Sequence, residues 1–441
     1  MSLKAIFCST LLCSLAFTTL SAQGHDTHSP APTEQNGQPQ QGVTPPKAHG
    51  TAPISHSGCH PVEEKKDKYD PAPAVMHHIG DANEFHIIGD LHCPLPVFAY
   101  DMEHGLTAGL STMFEGGKKA VNGFVLAHGT VRKGKGLPQG IVELDEIHDG
   151  HYSYMTEVPN EKGKKVDHHF VSYKGECMEV EESRKLTNMA SSWVDFSITK
   201  NVFTMLIAFG LIAFLFFKSA NFYKANPTSA PKGLVNLMEV FVTFIRDEIA
   251  KPTIGPKYEK YMTLLMSLFF FILFNNLLGI IPFFPFGANV MGNISMTIIL
   301  ALVIFFVVLF SGNKNYWQHI FWMPDVPIFI KVLMMPIEVM SIFVKPFTLL
   351  IRLFANITAG HVIILTFVSL IFVFSNAGAS LVGAGSGALV AIPFTAFMNL
   401  LEMLVAFLQA FIFTLLSAIY IGAAIEDHHH TAAEDHIEVH H

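Results

Sequence analysis

Residues 347–365 of this 441-residue chain read FTLLIRLFANITAGHVIIL, an apolar stretch whose ionisable residues are Arg352 and His361. A charged arginine at mid-membrane costs at least ~2.5–3.5 kcal/mol to insert. The alternative is an arginine whose side chain reaches the membrane surface, but apolar sequence continues for more than twenty residues beyond Arg352, which is too far. The stretch therefore predicts a membrane-spanning helix with a functional arginine inside it.

Polar side chains form one stripe along this predicted helix. The stripe consists of Glu338, Ser341, Lys345, Thr348, Arg352 and Asn356. At ~100° per residue, all of them project within about 40° of the direction of Arg352. Because lipid would leave such groups without hydrogen bonds, the stripe is expected to face water or a polar partner, with its inner end, Glu338, toward the cytoplasm. Polar packing between helices is the alternative for Ser341 and Thr348.

The last apolar segment carries Glu402 and Gln409, seven residues apart. If this segment returns antiparallel, pairing His361 with Glu402 and Arg352 with Gln409 places the turn inside the Gly/Ser/Ala stretch 376–387 in both cases. An imidazole and a carboxylate at one depth suit proton relay, because both titrate near physiological pH when partly desolvated. A purely structural hydrogen bond between His361 and Glu402 is the alternative.

The wider composition agrees with a membrane domain. Half of the residues are hydrophobic and only 15% are charged, which nearly excludes a purely soluble protein. Spans are predicted near 199–217, 262–284, 294–311, 328–375 and 387–424. The fold class is therefore an all-α polytopic membrane protein with five transmembrane helices, the last two forming a long antiparallel hairpin that exceeds the length a bilayer requires. The domain covers residues 199–424.

Residues 233–250 have a different pattern, with apolar side chains on one face and polar ones, such as Glu239 and Arg246, largely opposite. This pattern predicts an amphipathic helix at the membrane interface. A helix packed between two spans is the alternative.

Charge predicts the topology of the spans. The loop between the first two spans is rich in Lys and Arg, whereas the connections 285–293 and 376–386 carry neither. The positive-inside rule places the first loop in the cytoplasm. With five spans, the N-terminal part is then exported and the acidic, His-rich tail 425–441 is cytoplasmic.

The part before the spans is predicted to contain three segments. Residues 1–22 have Lys4, an apolar run and small residues at the end, which favours a secretory signal peptide over a short membrane anchor. Residues 23–76 are rich in Pro, Gln, Gly, Ser and His and predict a disordered linker. Residues 77–190 contain short alternating runs punctuated by Gly and Pro, which predict a small β-rich exported domain.

Several ligand classes can be considered from the same residues. A net charge of −8 without a long run of basic residues argues against nucleic-acid binding. The histidines show no metal-binding spacing, so no metal site or cofactor is predicted, and whether the His-rich segments bind metal stays open. Cys59, Cys93 and Cys177 are an odd number in the exported part, so one disulfide can form and its pairing is undetermined.

Three motifs together resemble subunit a of the F-type ATP synthase, the static membrane channel beside the rotating c-ring. They are RLFANITAGH at Arg352–His361, LQAFIF at Leu408–Phe413 and NLLGIIP at Asn276–Pro282. The resemblance covers roughly residues 199–424 and leaves the N-terminal part without an assigned activity.

The resemblance implies roles for individual residues. Arg352 would face the essential carboxylate of subunit c, Asn356 and Gln409 would lie near the proton path, and Thr348 would be a small polar position on the arginine face. The family's carboxylate and histidine pair is present as His361 and Glu402, in the reverse of the order found in many bacterial members. The peripheral stalk would bind near residues 233–250.

The implied function is proton translocation through two half-channels in a bacterial inner membrane, coupled to ATP synthesis. No GxxxxGK[ST] loop occurs, so nucleotide binding and catalysis would belong to another subunit. Two alternatives stay open: a transporter or channel that works alone, and a membrane-anchored binding protein whose exported domain acts. The first would favour internal repeats, which are not evident, and the second gives Arg352 no role. The choice between proton and sodium also stays open.

Overall fold

The computed structural model describes residues 80–88, 91–147, 152–159, 165–184, 191–281, 287–322, 327–375 and 380–426. The predicted signal peptide, the predicted linker and nearly all of the predicted cytoplasmic tail lie outside these ranges. The described residues fall into two compact units. The β-unit comprises those between Pro94 and Ser197, and the helical unit comprises those up to Cys93 together with those from Ile198 onward.

The part of the chain before the apolar helices is built from short strands, as the alternating runs predict. The strands are β1 Glu84–Ile88, β2 Leu91–Pro94, β3 Pro96–Asp101, β4 Gly105–Leu110, β5 Lys119–Val121, β6 Phe124–Ala127, β7 Thr130–Gly134, β8 Ile141–Glu143, β9 Ser153–Pro159, β10 Lys165–Tyr173, β11 Glu176–Glu181 and β12 Trp193–Asp195. β1 and β2 form a small separate sheet that belongs almost entirely to the helical unit. The predicted β-rich character of the N-terminal part is confirmed.

Two antiparallel sheets surround the core of the β-unit. One has the strand order β8-β5-β6-β7-β11-β10-β9, and the other has the order β12-β3-β4. Trp193 and Phe124 are fully buried between them, with ring centroids 5.0 Å apart. The sequence predicts the end of this domain at residue 190, but β12 lies beyond it, at Trp193–Asp195. The prediction missed this strand because three residues are too few to show an alternating pattern.

The cysteines of the described region differ from one another. Cys177 in β11 is disulfide-bonded, whereas Cys93 in β2 is free. Disulfides persist in oxidising compartments.

The helical unit contains α1 Lys200–Ala225, α2 Leu234–Phe244, α3 Lys251–Ile254, α4 Tyr258–Ile280, α5 Ile294–Ser311, α6 Lys314–Phe321, α7 Ile328–Phe374 and α8 Leu381–Ile425. A π-helical turn, Ile245–Ala250, and a 3-10 turn, Gly255–Lys257, join α2 to α3 and α3 to α4. In the described part of the chain, five helical segments are long and apolar enough to cross a membrane: Lys200–Ala225, Leu234–Ile280, Ile294–Ser311, Ile328–Phe374 and Val382–Ile425. The prediction of five apolar helices is confirmed, and the chain is a multi-pass membrane protein.

α8 begins before the position that hydropathy indicates. The sequence predicts the span from 387, whereas the helix begins at Leu381. Ser380 is its N-cap, and its Oγ accepts a hydrogen bond from the backbone N–H of Gly383 at 3.1 Å. Capping and packing therefore outweigh the poor helix propensity of the glycines in this stretch.

α7 and α8 pair along much of their length. The rings of Phe367 and Phe394 stack with centroids 5.3 Å apart, and further out Gly387 lies against Ile371. Residue numbers rise along α7 and fall along α8 between these contacts, so the two helices run in opposite directions.

The segment 233–250 packs against other helices on one side. Val235, Met238 and Ile245 are buried, and the ring of Phe241 lies 6.3 Å from that of Phe407 on α8. Leu234 stays exposed, like Leu237 and Val240. These contacts favour the alternative of a packed helix, and the exposed apolar side chains leave a second surface free for lipid.

Candidate functional site

His361 on α7 and Glu402 on α8 lie side by side. Nε2 of His361 is 3.8 Å from Oε1 of Glu402, and Glu402 is only 4% exposed. Two glycines provide space for the pair: a Cβ at Gly360 would lie 3.0 Å from Oε1 of Glu402, and a Cβ at Gly279 would lie 3.7 Å from Nε2 of His361. The sequence predicts that His361 and Glu402 lie at the same depth, which agrees with this contact.

Buried polar atoms accompany this pair. Both carboxylate oxygens of Glu402 lack a hydrogen-bond partner among the described residues, as do the side-chain oxygens of Asn275 and Asn276 on α4. The amide nitrogen of Asn276 does contact the carbonyl oxygen of Ala406 at 3.4 Å. Buried polar atoms normally hold a partner, either protein or water. The two oxygens of Glu402 are therefore suited to bind water, and Asn276 supplies a third such oxygen on α4, one turn before Gly279.

Arg352 lies partly exposed on the same helix, about two and a half turns before His361. Leu349 and Leu353 beside it are buried, at 1% and 0% exposure, whereas Thr348 and Asn356 are exposed. Across the described residues, Arg352 makes no ion pair, and the charged side chain interacts electrostatically with Tyr420 on α8. The stripe of residues 348, 352 and 356 thus forms the border between the packed face of α7 and its open face.

The remaining predicted residues lie along the same two helices. Gln409 is buried on α8, and Thr348 donates its hydroxyl to the carbonyl oxygen of Val344 at 2.9 Å. Glu338 is half-buried near the start of α7 and interacts electrostatically with Tyr316 on α6. The predicted site residues do not form one cluster: His361 and Glu402 meet, whereas Arg352 and Glu338 lie elsewhere along α7.

Sequence reasoning overlooked several neighbours of these residues. Tyr420 lies under Lys345, whose Nζ is 5.6 Å from the ring centroid. Lys200, on α1, interacts electrostatically with His361. A tyrosine eleven residues after Gln409 projects close to the same face of a helix, so this periodicity was a usable signal for Tyr420. No pattern in the sequence points from α1 to α7.

Residues 202–422 match the ATP synthase A chain family. The chain belongs to that family. The matched region contains the His361–Glu402 pair, Arg352 and Gln409, and it begins just inside α1.

Individual relatives agree with the assignment. ATP synthase subunit a 2 of Chlorobium luteolum is 44% identical over 241 residues, which are 52% of this chain and 66% of the relative. ATP synthase subunit a of Chloroherpeton thalassium is 43% identical over 242 residues, 53% of this chain and 69% of the relative. ATP synthase subunit a of Chlorobium phaeobacteroides strain BS1 is 38% identical over 309 residues, 67% of this chain and 86% of the relative.

The N-terminal part matches a different family. Residues 74–196 match a domain of unknown function, DUF8433. This region corresponds closely to β1–β12, so the family members' membrane domain is joined here to a β-rich domain that has its own sequence signature.

Replacing Gly360 with alanine is expected to impair the site with little effect on folding. The added Cβ would lie 3.0 Å from Oε1 and 3.2 Å from Cδ of Glu402, so the carboxylate must move away from His361. We expect proton flux through the assembled complex to fall about tenfold or more, since small displacements of a catalytic group have effects of this order. Proton uptake by membrane vesicles measures it.

Gly385 offers a matched control for this substitution, because a Cβ there meets nothing within 4 Å. Gly385→Ala on α8 should keep normal flux. Equal proton flux in the two alanine variants would show that the position of the Glu402 carboxylate beside Gly360 does not affect the flux.

Proposed function

We propose that this chain is the proton-translocating subunit a of an F-type ATP synthase, and that it carries protons past a c-ring through two half-channels. The observation that carries the proposal is the setting of Arg352. The residue lies within a membrane-spanning helix, makes no ion pair across the described residues, and borders the open face of α7. An arginine in this setting needs a counter-charge. A carboxylate on a neighbouring c subunit would supply it.

The outer half-channel would contain the His361–Glu402 pair. Their 3.8 Å separation is within reach of one bridging water or a small side-chain movement, and an imidazole and a carboxylate exchange protons readily. Asn356, exposed beside Arg352, and Gln409, buried on α8, would continue the path to the c-ring carboxylate.

The inner half-channel would lead from the c-ring toward Glu338. This residue is half-buried near the start of α7, fourteen residues before Arg352, which corresponds to ~21 Å of helix. Thr348, exposed one turn before Arg352, would contribute a polar group to the surface that meets the ring.

Arg352 would separate the two half-channels. Its guanidinium stays protonated in any protein setting, so it cannot relay the proton itself. Its positive charge would favour the deprotonated form of each c-ring carboxylate that passes and would oppose a direct proton leak between the half-channels.

The proposed topology follows charge and redox chemistry. The N-terminal part would be exported across a bacterial inner membrane after removal of residues 1–22, and the tail after Glu426 would be cytoplasmic. The disulfide at Cys177 supports an oxidising location for the β-unit. α7 and α8 would cross the bilayer as a hairpin whose turn lies outside, and the exposed side of α2 would lie at the cytoplasmic surface near the peripheral stalk. Nucleotide chemistry would lie on other subunits.

Purification of the chain with its partners tests this function. A tagged chain, extracted in mild detergent, should bring along a c-ring and stalk subunits, and liposomes containing the complex should acidify on ATP addition. Liposomes containing the chain alone should conduct no protons. Robust ion transport by the isolated chain would instead favour a transporter or channel that works alone.

A further inference from the structure

The first turns of α1 bury charged and polar side chains inside the helical unit. Lys200, Asn201 and Thr204 lie on the packed face of the helix, at 9%, 1% and 0% exposure. Oδ1 of Asn201 and Oγ1 of Thr204 have no hydrogen-bond partner within the part of the chain that the structure describes. Lys200 and Asn201 precede the region matched by the ATP synthase A chain family, residues 202–422. The proposed function so far gives these residues no role.

Asp81 holds this end of α1. Its Oδ1 accepts hydrogen bonds from the backbone N–H groups of Ala82 at 3.0 Å and Asn201 at 3.2 Å. The side chain of Thr199 also bonds to Asp81, and Lys200 attracts the carboxylate electrostatically. The backbone N–H of Lys200 donates to the carbonyl oxygen of Ala82 at 2.8 Å. A carboxylate thus lies within electrostatic reach of an ammonium group at the start of the first membrane helix.

The depth of this pair follows from contacts between α1 and α4. The rings of Phe216 and Phe270 lie 5.2 Å apart, whereas at the other end Lys200 interacts with His361, which lies beside Gly279. α1 and α4 therefore run antiparallel. From the phenylalanine level, Lys200 is ~24 Å along α1 and Gly279 is ~13.5 Å along α4. Lys200 is thus about 10 Å beyond the level of His361.

Asn201 and Thr204 lie between these two levels. Water is the ligand such atoms take in a membrane domain, because lipid offers no hydrogen bonds. A file of polar groups then leads from Asp81 and Lys200, past Asn201 and Thr204, to the His361–Glu402 pair.

We propose that Asp81, Lys200, Asn201 and Thr204 form the outer section of the proton path, with Asp81 as the carboxylate that collects protons and Lys200 as the charge that tunes His361. The inference rests on the proposed function, and it extends the path into residues outside the matched region. Burial raises the pKa of the Asp81 carboxyl to about 6, although Lys200 opposes this shift. A carboxyl with this pKa exchanges protons near neutral pH.

Lys200 acts on His361 through its charge. Among the described residues, the ionisable groups that interact with His361 are Glu402 from α8 and Lys200 from α1, whereas α4 contributes the uncharged Gly279. Packed helices lie ~8–10 Å apart, so the axial offset of ~10 Å corresponds to a separation of about 14 Å. At an effective dielectric constant of ~20, a unit charge at this distance changes proton affinity by a little under tenfold, or about one pH unit. Removing the charge of Lys200 therefore removes a repulsion that acts on His361 when the imidazole holds a proton.

Proton-driven ATP synthesis by the reconstituted complex tests the proposal. The rate is measured against the pH of the outer compartment, with the inner pH and the membrane potential held constant. Lys200→Met should move the outer pH that gives half the maximal rate upward by about one unit, because His361 then binds its proton at a lower outer proton concentration. Asp81→Asn should move it downward, because the negative charge of Asp81, which opposes that of Lys200, is then absent. A role in folding alone would not give shifts of opposite sign.

Two further variants control the experiment. Lys200→Arg keeps the charge and should restore the wild-type profile, and Lys218→Met removes a lysine at the other end of α1, where Nζ lies 5.6 Å from the ring centroid of Phe214, and should leave the profile unchanged. If Lys200→Met fails to assemble, the direction of the Asp81→Asn shift decides alone. Unshifted profiles, or shifts of one sign in both variants, overturn the inference. A wild-type complex that makes no ATP from a proton gradient would reject the proposed function instead.

Discussion

Replacing Arg352 with alanine is expected to abolish ATP-driven proton pumping while the chain still inserts and assembles. Removal of a charge that costs at least ~2.5–3.5 kcal/mol at mid-membrane favours insertion, so the loss must appear in function. Without the arginine, the proposed boundary between the half-channels loses the guanidinium that would favour the deprotonated form of a c-ring carboxylate. Pumping should fall by at least ~100-fold, since electrostatic stabilisation by one positioned group commonly contributes this much. Quenching of a pH-sensitive fluorescent dye in inverted membrane vesicles measures the ATP-driven pumping rate.

A proton leak provides a second readout for Arg352→Ala. If the arginine separates the half-channels, its loss should let protons pass without rotation, so passive proton conductance should stay measurable when pumping is gone. Arg184 offers the matched control, because it is an exposed arginine in the β-unit, and Arg184→Ala should pump normally. Coupled pumping by a fully assembled Arg352→Ala complex would contradict the assigned role.

The sequence predicted the existence of the five apolar helices well because hydropathy identifies segments long and apolar enough to span a membrane. In lipid, every backbone polar group must be satisfied within the segment, so a long apolar run has little choice but to be helical. The pairing of His361 with Glu402 also followed from the sequence, since helical rise is constant and the glycine-rich stretch indicates where the chain reverses. Their atoms are indeed in contact range at 3.8 Å.

The site's surroundings could not be predicted in the same way. Tyr420 and Lys200 are close to predicted residues only because α8 and α1 pack where they do, and interhelical packing in membranes depends on small residues and local shape rather than on a hydrophobic pattern. The start of α8 at Leu381 depended on one capping hydroxyl, Ser380. Asp81 lies more than a hundred residues before Asn201 in the chain, yet accepts its backbone hydrogen bond, and no local pattern encodes such a contact.

The boundary between the two domains shows the same difference between local and distant information. Short strands were predicted from alternation, whereas β12 depends on pairing with β3, in which Val194 lies opposite Tyr100. A three-residue strand buries too little surface alone and forms only against a partner. Residues 191–197 therefore belong with the β-unit, although the sequence predicts the end of this domain at residue 190.

Replacing either His361 or Glu402 with leucine is expected to slow proton flux by about 100-fold, and replacing both is expected to cost little more. Each residue alone already interrupts the relay, so the two losses should be far from additive in a double-mutant cycle. Glu402 is buried and both of its oxygens lack a hydrogen-bond partner within the described residues, so leucine at 402 also removes an unsatisfied buried group and should not harm assembly. Flux through reconstituted complexes, normalised to assembled c-ring, measures the cycle.

Two companion variants sharpen the interpretation of that cycle. Exchange of the pair, His361→Glu with Glu402→His, keeps an imidazole and a carboxylate at one depth and should recover most of the flux lost in either leucine variant, because relay needs both groups and not a fixed order. Thr414→Val on α8 controls for altered packing, since Thr414 is fully buried and, within the described part of the chain, donates its hydroxyl to its own helix, at the carbonyl oxygen of Ala410, 2.8 Å away. Additive losses, together with no recovery in the exchanged pair, would place His361 and Glu402 in separate steps, and the outer path would then need a different carrier between Thr204 and Asn356.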